Sequence, residues 1–416
     1  MQRTTVAQAA GKLAGRIDQL ARVSDERGAT TRTFLSPAMA RANALVGKWM
    51  RQAGLKSRED TVGNLIGRTA GRAGFRKTLL LGSHLDTVRD AGRFDGILGV
   101  LLPIAALEVL HARGVELPFA VEVLGFSEEE GVRFSSAYLG SKGYTGRLRK
   151  SDLSPRDADG ISVAEVLAAR NRGIVAPPGP AHSRAELLGY VEAHIEQGPV
   201  LEARRCALGV VSAIAGQTRA KVVFKGKAGH AGTTPMALRR DALAGAAEFI
   251  LRVEAEARGS RQLVGTVGWI SAQPGASNVI AGAAELTLDV RHPVDAERRA
   301  AFRKIRASGA KIARRRGLSF SLVITQDNGA VPCSRELTSL LARSVRAQQG
   351  RVPSLASGAG HDAVILSALT PVAMLFVRCR GGLSHHPDEH VERADLAAAL
   401  EVMVDFIASM ARRFPQ

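Results

Sequence analysis

Cysteine is nearly absent from this 416-residue chain. Cys206, Cys333 and Cys379 lie far apart and form no C-x-x-C pair. That excludes a disulfide framework and argues against a cysteine zinc site. Aromatic residues make up only 4% of the chain, so base-stacking platforms are scarce. Long apolar runs are missing too. "ILGVLLPIAAL" is the longest, is too short to span a bilayer and carries Pro103. The N-terminal stretch reads as an amphipathic helix without the continuous apolar core of a signal peptide. These absences lead us to expect a cytoplasmic protein that uses no membrane. Acids are outnumbered, giving a net charge of +18. The arginines are scattered, however, and the densest run is only "ARRRG" at 313–317. No nucleic-acid partner is expected from that pattern. A positive field that draws in a small anionic substrate suits it better.

What is present is an ordinary apolar share of 45% in a chain long enough for two or three domains. "TLLLGSHLD" reads as a buried parallel strand, 97–112 as a helix, and "FAVEVLGFS" as the next strand. This rhythm predicts an α/β fold, a mixed sheet with helices on both faces. After about residue 213 apolar and polar residues alternate in "TRAKVVFKGKAGHAG". A helix over 235–257, strands in "LVGTVGWISA" and "AELTLDVRH", a helix over 295–317 and a strand in "LSFSLVITQ" complete a β-α-β-β-α-β unit. From Val331 the first rhythm returns. The expected organisation is one domain from 1–213 and 331–416, with an α+β insertion at 214–330.

Ionisable residues concentrate in "SHLD", "FDG", "SEEEG", "EAHIEQGP" and "SHHPDEH", four of them after strand-like runs. Ligands in open α/β sheets bind at the carboxyl ends of strands. Histidine and carboxylate without cysteine suit Zn²⁺ or Mn²⁺. His84, Asp95 and His194 could hold one ion, and Asp95, Glu130 and His385 a second. Such a pair would polarise a carbonyl and acidify a bridging water. Asp86, two residues past His84, could brace that imidazole from behind. Of the three adjacent glutamates, one would ligate, a neighbour could be a general base, and Glu128 could face solvent. Taken singly, each stretch has a plainer reading. "SEEEG" is a common helix N-terminus, "GHAG" a turn with a surface histidine, and "SHHPDEH" a metal-sticky loop. His111 reads as structural on its helix. His182, His292 and His390 read as exposed.

Together these stretches resemble the M20 metallopeptidase-like amidohydrolases, specifically the branch that hydrolyses ureido groups. That branch includes allantoate amidohydrolases, N-carbamoyl-L-amino acid hydrolases and β-ureidopropionases. The resemblance runs in order through "GSHLDTV", "GRFDGILGV", "EEEGVRF", "HIEQGPVLE", "AGQTR", "GHAGTTPM", "SNVIAG", "DVRH", "SGAGHDA" and "GGLSHHPDEH". It implies a dimetal catalytic domain and an inserted lid domain through which two chains form a homodimer. By position it makes Glu129 the general base, Glu130 the metal ligand and Asp86 the partner of His84. His230 would stabilise the oxyanion in the partner chain's site. Gln197 would lie beside the substrate, and Asn278, Arg291 and Gly360 would hold its carboxylate. His361 and Asp362 match a motif without an assigned role. "FSEEEGVRF" and "CRGGLSHHPDEHV" lean towards allantoate, with N-carbamoyl-L-amino acids next. The rivals are a peptidase of the same superfamily and a non-catalytic metal-binding or nucleic-acid-binding protein.

Overall fold

A computed structural model describes residues 5–171 and 182–414. The chain divides into two compact units. One comprises Met1–Ser212, Cys333–Leu355 and Gly360–Gln416; the other comprises Ala213–Pro332 and Ala356–Ala359.

The first unit is built on a mixed sheet. Its strand order is Lys56–Glu59, Leu65–Arg68, Ala120–Phe126, Thr78–His84, Leu187–Ile195, Val372–Val377, Leu208–Ile214. The four strands from Ala120–Phe126 to Val372–Val377 run parallel to one another. Those flanking them pair antiparallel. Thr78–His84, Ala120–Phe126 and Val372–Val377 are buried at every position. A strand with no solvent face needs no alternation, which is why each reads as a continuous apolar run. The helix Ile97–Ala112 is buried almost all round. Its one acid, Glu108, meets Lys12 and Arg16 of the N-terminal helix Val6–Ala21 at 3.0 and 2.7 Å. Thr5 caps that N-terminal helix by accepting from the Gln8 amide.

The second unit carries an antiparallel sheet in the order Ile270–Gln273, Ala283–His292, Gly216–Lys225, Ser319–Asn328, and Val264–Thr266 also pairs with Ala283–His292. Gly216–Lys225 alternates buried and accessible residues. Val222, Phe224, Leu286 and Leu288 pack in one core with Phe249 and Phe302 of the helices Ala242–Arg258 and Asp295–Arg315. One sheet face is therefore apolar and covered, and the other carries Arg219, Lys221 and Arg291. Two local differences from the expected unit stand out. The first helix starts at Ala242 rather than 235 because Asp241 caps it, accepting from the Leu243 and Ala244 amides. The strand expected in "LVGTVGWISA" is split in two around Val267–Trp269. Among the described residues no helix is long and apolar enough to cross a membrane.

Candidate metal-binding active site

The carboxyl ends of the four parallel strands carry four of the five ionisable stretches, and "FDG" lies just before the helix Ile97–Ala112. His84 ends its strand. Its Nδ1 lies 3.0 Å from the Asp86 carbonyl oxygen and 3.4 Å from Asp86 Oδ1. A ring N–H donated there leaves Nε2 with its lone pair, 3.4 Å from Asp95 Oδ1. His194 repeats the arrangement from the neighbouring strand. Its Nδ1 is 3.0 Å from the Ile195 carbonyl oxygen and its Nε2 is 3.3 Å from the same Asp95 Oδ1. The other Asp95 oxygen faces the opposite way. Oδ2 accepts from Ser384 Oγ at 2.6 Å and Gln197 Nε2 at 2.8 Å, and lies 3.6 Å from His385 Nε2. That imidazole nitrogen is 3.4 Å from Glu130 Oε1.

Three sets of donor atoms therefore cluster within 4.8 Å: His84, Asp95 and His194; Asp95, Glu130 and His385; and His84, Glu129 and Glu130. A divalent ion fits the first set on direct grounds. Asp95 Oδ1 is buried without a hydrogen bond, yet two imidazole nitrogens aim at it. His194 Nε2 accepts the Gly96 amide at 3.3 Å, while Asp95 Oδ1 and the His84 Nε2 lone pair face each other without a donor, an arrangement that a cation satisfies. The electrostatics agree. Burial lowers the proton affinity of His84, but Asp86 and Asp95 outweigh it and hold the imidazole well above its ordinary pKa. Burial pushes Asp95 up, and His194 and His84 bring it well below the usual carboxylate range. A field that captures protons this strongly also attracts a divalent cation.

Asp86 does more than brace His84. Its carboxylate accepts the backbone amides of Glu129 and Glu130 at 3.1 Å, and so fixes the turn that presents both glutamates. No helix begins at "SEEEG"; the stretch is a turn. Glu128, expected in solvent, is instead buried and accepts the Gly131 amide across that turn. Glu129 is held well above its ordinary pKa, first by burial and then by Glu130, Asp362 and Asp86, against the opposing pull of His84.

His361 packs edge-on to the His194 ring at 4.6 Å between centroids, and Asp362 is buried next to it. Burial, then Glu192, raises Asp362 well above its ordinary pKa. Gly360 packs against the Tyr138 hydroxyl. His230, Asn278 and Arg291 belong to the other unit. There His230 ends a short strand that pairs with Val279–Ile280, so Asn278 is its neighbour across the ribbon. His230 Nδ1 accepts the Gly232 amide, which leaves Nε2 to carry the proton outward. Arg291 gives Nε and Nη2 to the two oxygens of Asp289, both at 2.9 Å, and Nη1 to the Gly358 carbonyl. The fork expected to take a substrate carboxylate is thus filled by Asp289.

Four other histidines stand differently from expectation. His182 is not solvated: its Nε2 lies 3.1 Å from Glu122 Oε1, though not aligned as a hydrogen bond. Residues 172–181 of that Pro/Gly-rich loop lie outside the described residues. His292 is buried between the Val294 and Arg261 carbonyls. His390 is half-buried against Phe94. His111, expected to be structural, is exposed in the last turn of its helix. Sequence reasoning also missed Ser384 and Glu389, both inside a stretch already singled out. Nothing local signals their targets, which are 289 and 294 residues away.

The chain is similar to known proteins over nearly its whole length. Residues 80–409 match the profile described as "Peptidase family M20/M25/M40". An "Allantoate deiminase" of Arabidopsis thaliana is 42% identical, over 95% of this chain and 81% of its own. An "N-carbamoyl-L-amino-acid amidohydrolase" of Pseudomonas sp. (strain NS671) is 39% identical, over 94% and 96%. The crystal structure of a hydantoinase/carbamoylase family amidase from Burkholderia ambifaria superposes with a TM-score of 0.89 at 34% identity, covering 97% of each chain. On the profile and on relatives that share nearly all of its length, the chain belongs to peptidase family M20/M25/M40.

Proposed function

We propose that the chain hydrolyses the ureido C–N bond of a small carboxylate, with allantoate as the first substrate. The observation that carries the reading is the shared carboxylate: Asp95 lies between two donor sets, and Glu129 joins a third beside them. An N-carbamoyl-L-amino acid is the second reading. It is favoured by length, since the Pseudomonas relative is matched over 96% of its chain and the Arabidopsis protein over 81%. β-Ureidopropionase activity and peptidase activity follow. The same reading has the enzyme act in the cytoplasm as a homodimer, with the unit around 214–330 as lid and dimer contact.

His84, Asp95 and His194 would hold one divalent ion, Zn or Mn, and Asp95, Glu130 and His385 a second. When bound, such ions supply the positive charge that acidifies a water and polarises a carbonyl. Everything else falls to the chain. Asp86 keeps the His84 ring and the Glu129 turn in register. Glu129 takes the proton of the attacking water and returns it to the leaving nitrogen, and its raised proton affinity suits an acid that must hold a proton between two steps. His230 of the partner protomer donates Nε2–H to the carbonyl oxygen as charge develops there. Asn278, Arg291 and the Gly360 amide orient the carboxylate, with Gln197 beside the substrate and Asp289 yielding part of the Arg291 fork. The carbamate fragment leaves as ammonia and carbon dioxide.

The test strips the protein of metal, reloads it with Zn or Mn, and measures ammonia release. The substrates are allantoate, several N-carbamoyl-L-amino acids, N-carbamoyl-β-alanine and a dipeptide. We expect activity to vanish with chelation, to return with metal, and to be greatest on allantoate. Efficient dipeptide cleavage without ammonia from any ureido substrate would sink the proposal.

A further inference from the structure

Glu389 takes no part in the mechanism above, yet it is wholly buried at the site. Its Oε1 accepts two backbone amides, from Phe94 at 2.7 Å and from Asp95 at 3.0 Å. The loop that carries Asp95 lies directly against it. A Cβ added at Gly92 would fall 2.3 Å from the Glu389 Cβ, so only glycine allows that approach. The same short segment supplies Ser384, which donates to Asp95 Oδ2, and His385, whose Nε2 is 3.6 Å from that oxygen.

We propose that Glu389 is a positioning residue for Asp95: its carboxylate clamps the Phe94–Asp95 backbone and thereby aims the two Asp95 oxygens at different imidazoles. Ser384 and Gln197 hold only Oδ2 and leave the backbone free to turn. The backbone clamp is what keeps Oδ1 between His84 Nε2 and His194 Nε2. Without it, two buried amides lose their acceptor and the loop must shift to find water. The role is geometric rather than electrostatic. A second carboxylate beside Asp95 repels it, and one carbonyl oxygen at the same place would accept both amides equally well. Asp95 is thus set from both sides by one segment of chain. The proposal rests on the metal reading of the cluster and is independent of the choice of substrate.

The test titrates the metal-free full-length chain with Zn²⁺ and with Mn²⁺ by calorimetry, and counts bound metal without any substrate. Glu389→Ala should weaken binding by about 10–100-fold, the usual effect of losing a group that orients a ligand. Glu389→Asp, which keeps the charge but falls one methylene short, should weaken it comparably. Glu389→Gln should bind as the wild type does. The proposal is overturned if folded Glu389→Ala binds metal normally, or if Glu389→Gln is as weak as Glu389→Asp. Should the alanine variant fail to fold, the Gln and Asp pair still decides. A wild type that binds neither ion would instead overturn the metal reading itself.

Discussion

Adding one methyl group at Gly96 should damage both the fold and the metal site. Gly96 precedes the helix Ile97–Ala112 with φ 67° and ψ −48°, a backbone conformation that side chains rarely adopt. Holding an L-residue at such a φ costs about 1–2 kcal/mol. The new Cβ would also lie 2.4–2.5 Å from three atoms of the His84 ring. That ring has no room to yield, with Nδ1 at the Asp86 carbonyl and Nε2 towards Asp95. Overpacking of this kind costs a further ~1–3 kcal/mol. Gly96→Ala should therefore lose roughly 2–5 kcal/mol, and at about 2 °C per kcal/mol its melting temperature should fall by about 4–10 °C. Calorimetric melting of the metal-free chain reads the clash alone. Repeating it with Zn²⁺ or Mn²⁺ reads the displaced ligand as a smaller metal-induced rise. A Gly96→Ala chain that melts with the wild type and gains the same rise would refute the reasoning.

Glu122 makes a separate prediction about acid stability. Burial pushes its carboxyl up, but His182, Arg68 and Tyr144 bring it down to about 2, against an ordinary 4.5. A folded pKa below the unfolded one means stability that is present above about pH 4.5 and lost as pH falls towards 2, worth about 3 kcal/mol. Urea midpoints of Glu122→Gln should therefore be lower at pH 7 and flatter between pH 4.5 and 2; wild-type slopes in that window would count against the assignment. The proposed trans role of His230 predicts that inactive His230→Ala and inactive Glu129→Gln chains recover part of their activity when mixed and allowed to exchange. No recovery, with exchange shown by mass-tagged subunits, would remove His230 from the partner's site.

Much of this was legible because local pattern and tertiary role coincide. The strand Thr78–His84 and the helix Ile97–Ala112 read as apolar runs because both are buried nearly throughout. The alternation in Gly216–Lys225 announces a sheet covered on one side. The ionisable stretches stood out because sharp turns at strand ends must carry them. What stayed hidden depends on partners far along the chain. Glu128 looked like a surface acid until the Ser127–Gly131 turn folded it inward. His182 and His292 look like any loop histidine, and only the fold sets one beside Glu122 and the other between two carbonyls. Asp289 is one polar residue of an alternating strand, yet it fills the Arg291 fork.

The crowding of acids at one sheet edge is workable because each has a different partner. Asp86 and Glu389 each accept two backbone amides, and Glu128 accepts one. These bonds tie the three carboxylates to the chain, where their work is to hold loops. Asp95 faces imidazoles with both oxygens and is held ionised by them. Glu129 is held differently. No hydrogen bond reaches its carboxylate among the described residues, and burial among like charges raises its proton affinity. Taking a proton therefore costs Glu129 no hydrogen bond. Glu128, Asp362 and Glu389 are also buried with raised proton affinity, so what sets Glu129 apart is its place in a donor set with His84 and Glu130. Glu129→Gln is a suitable partner in the mixing experiment: the amide removes the proton carrier while the turn, tied through the Glu129 backbone to Asp86, stays in place.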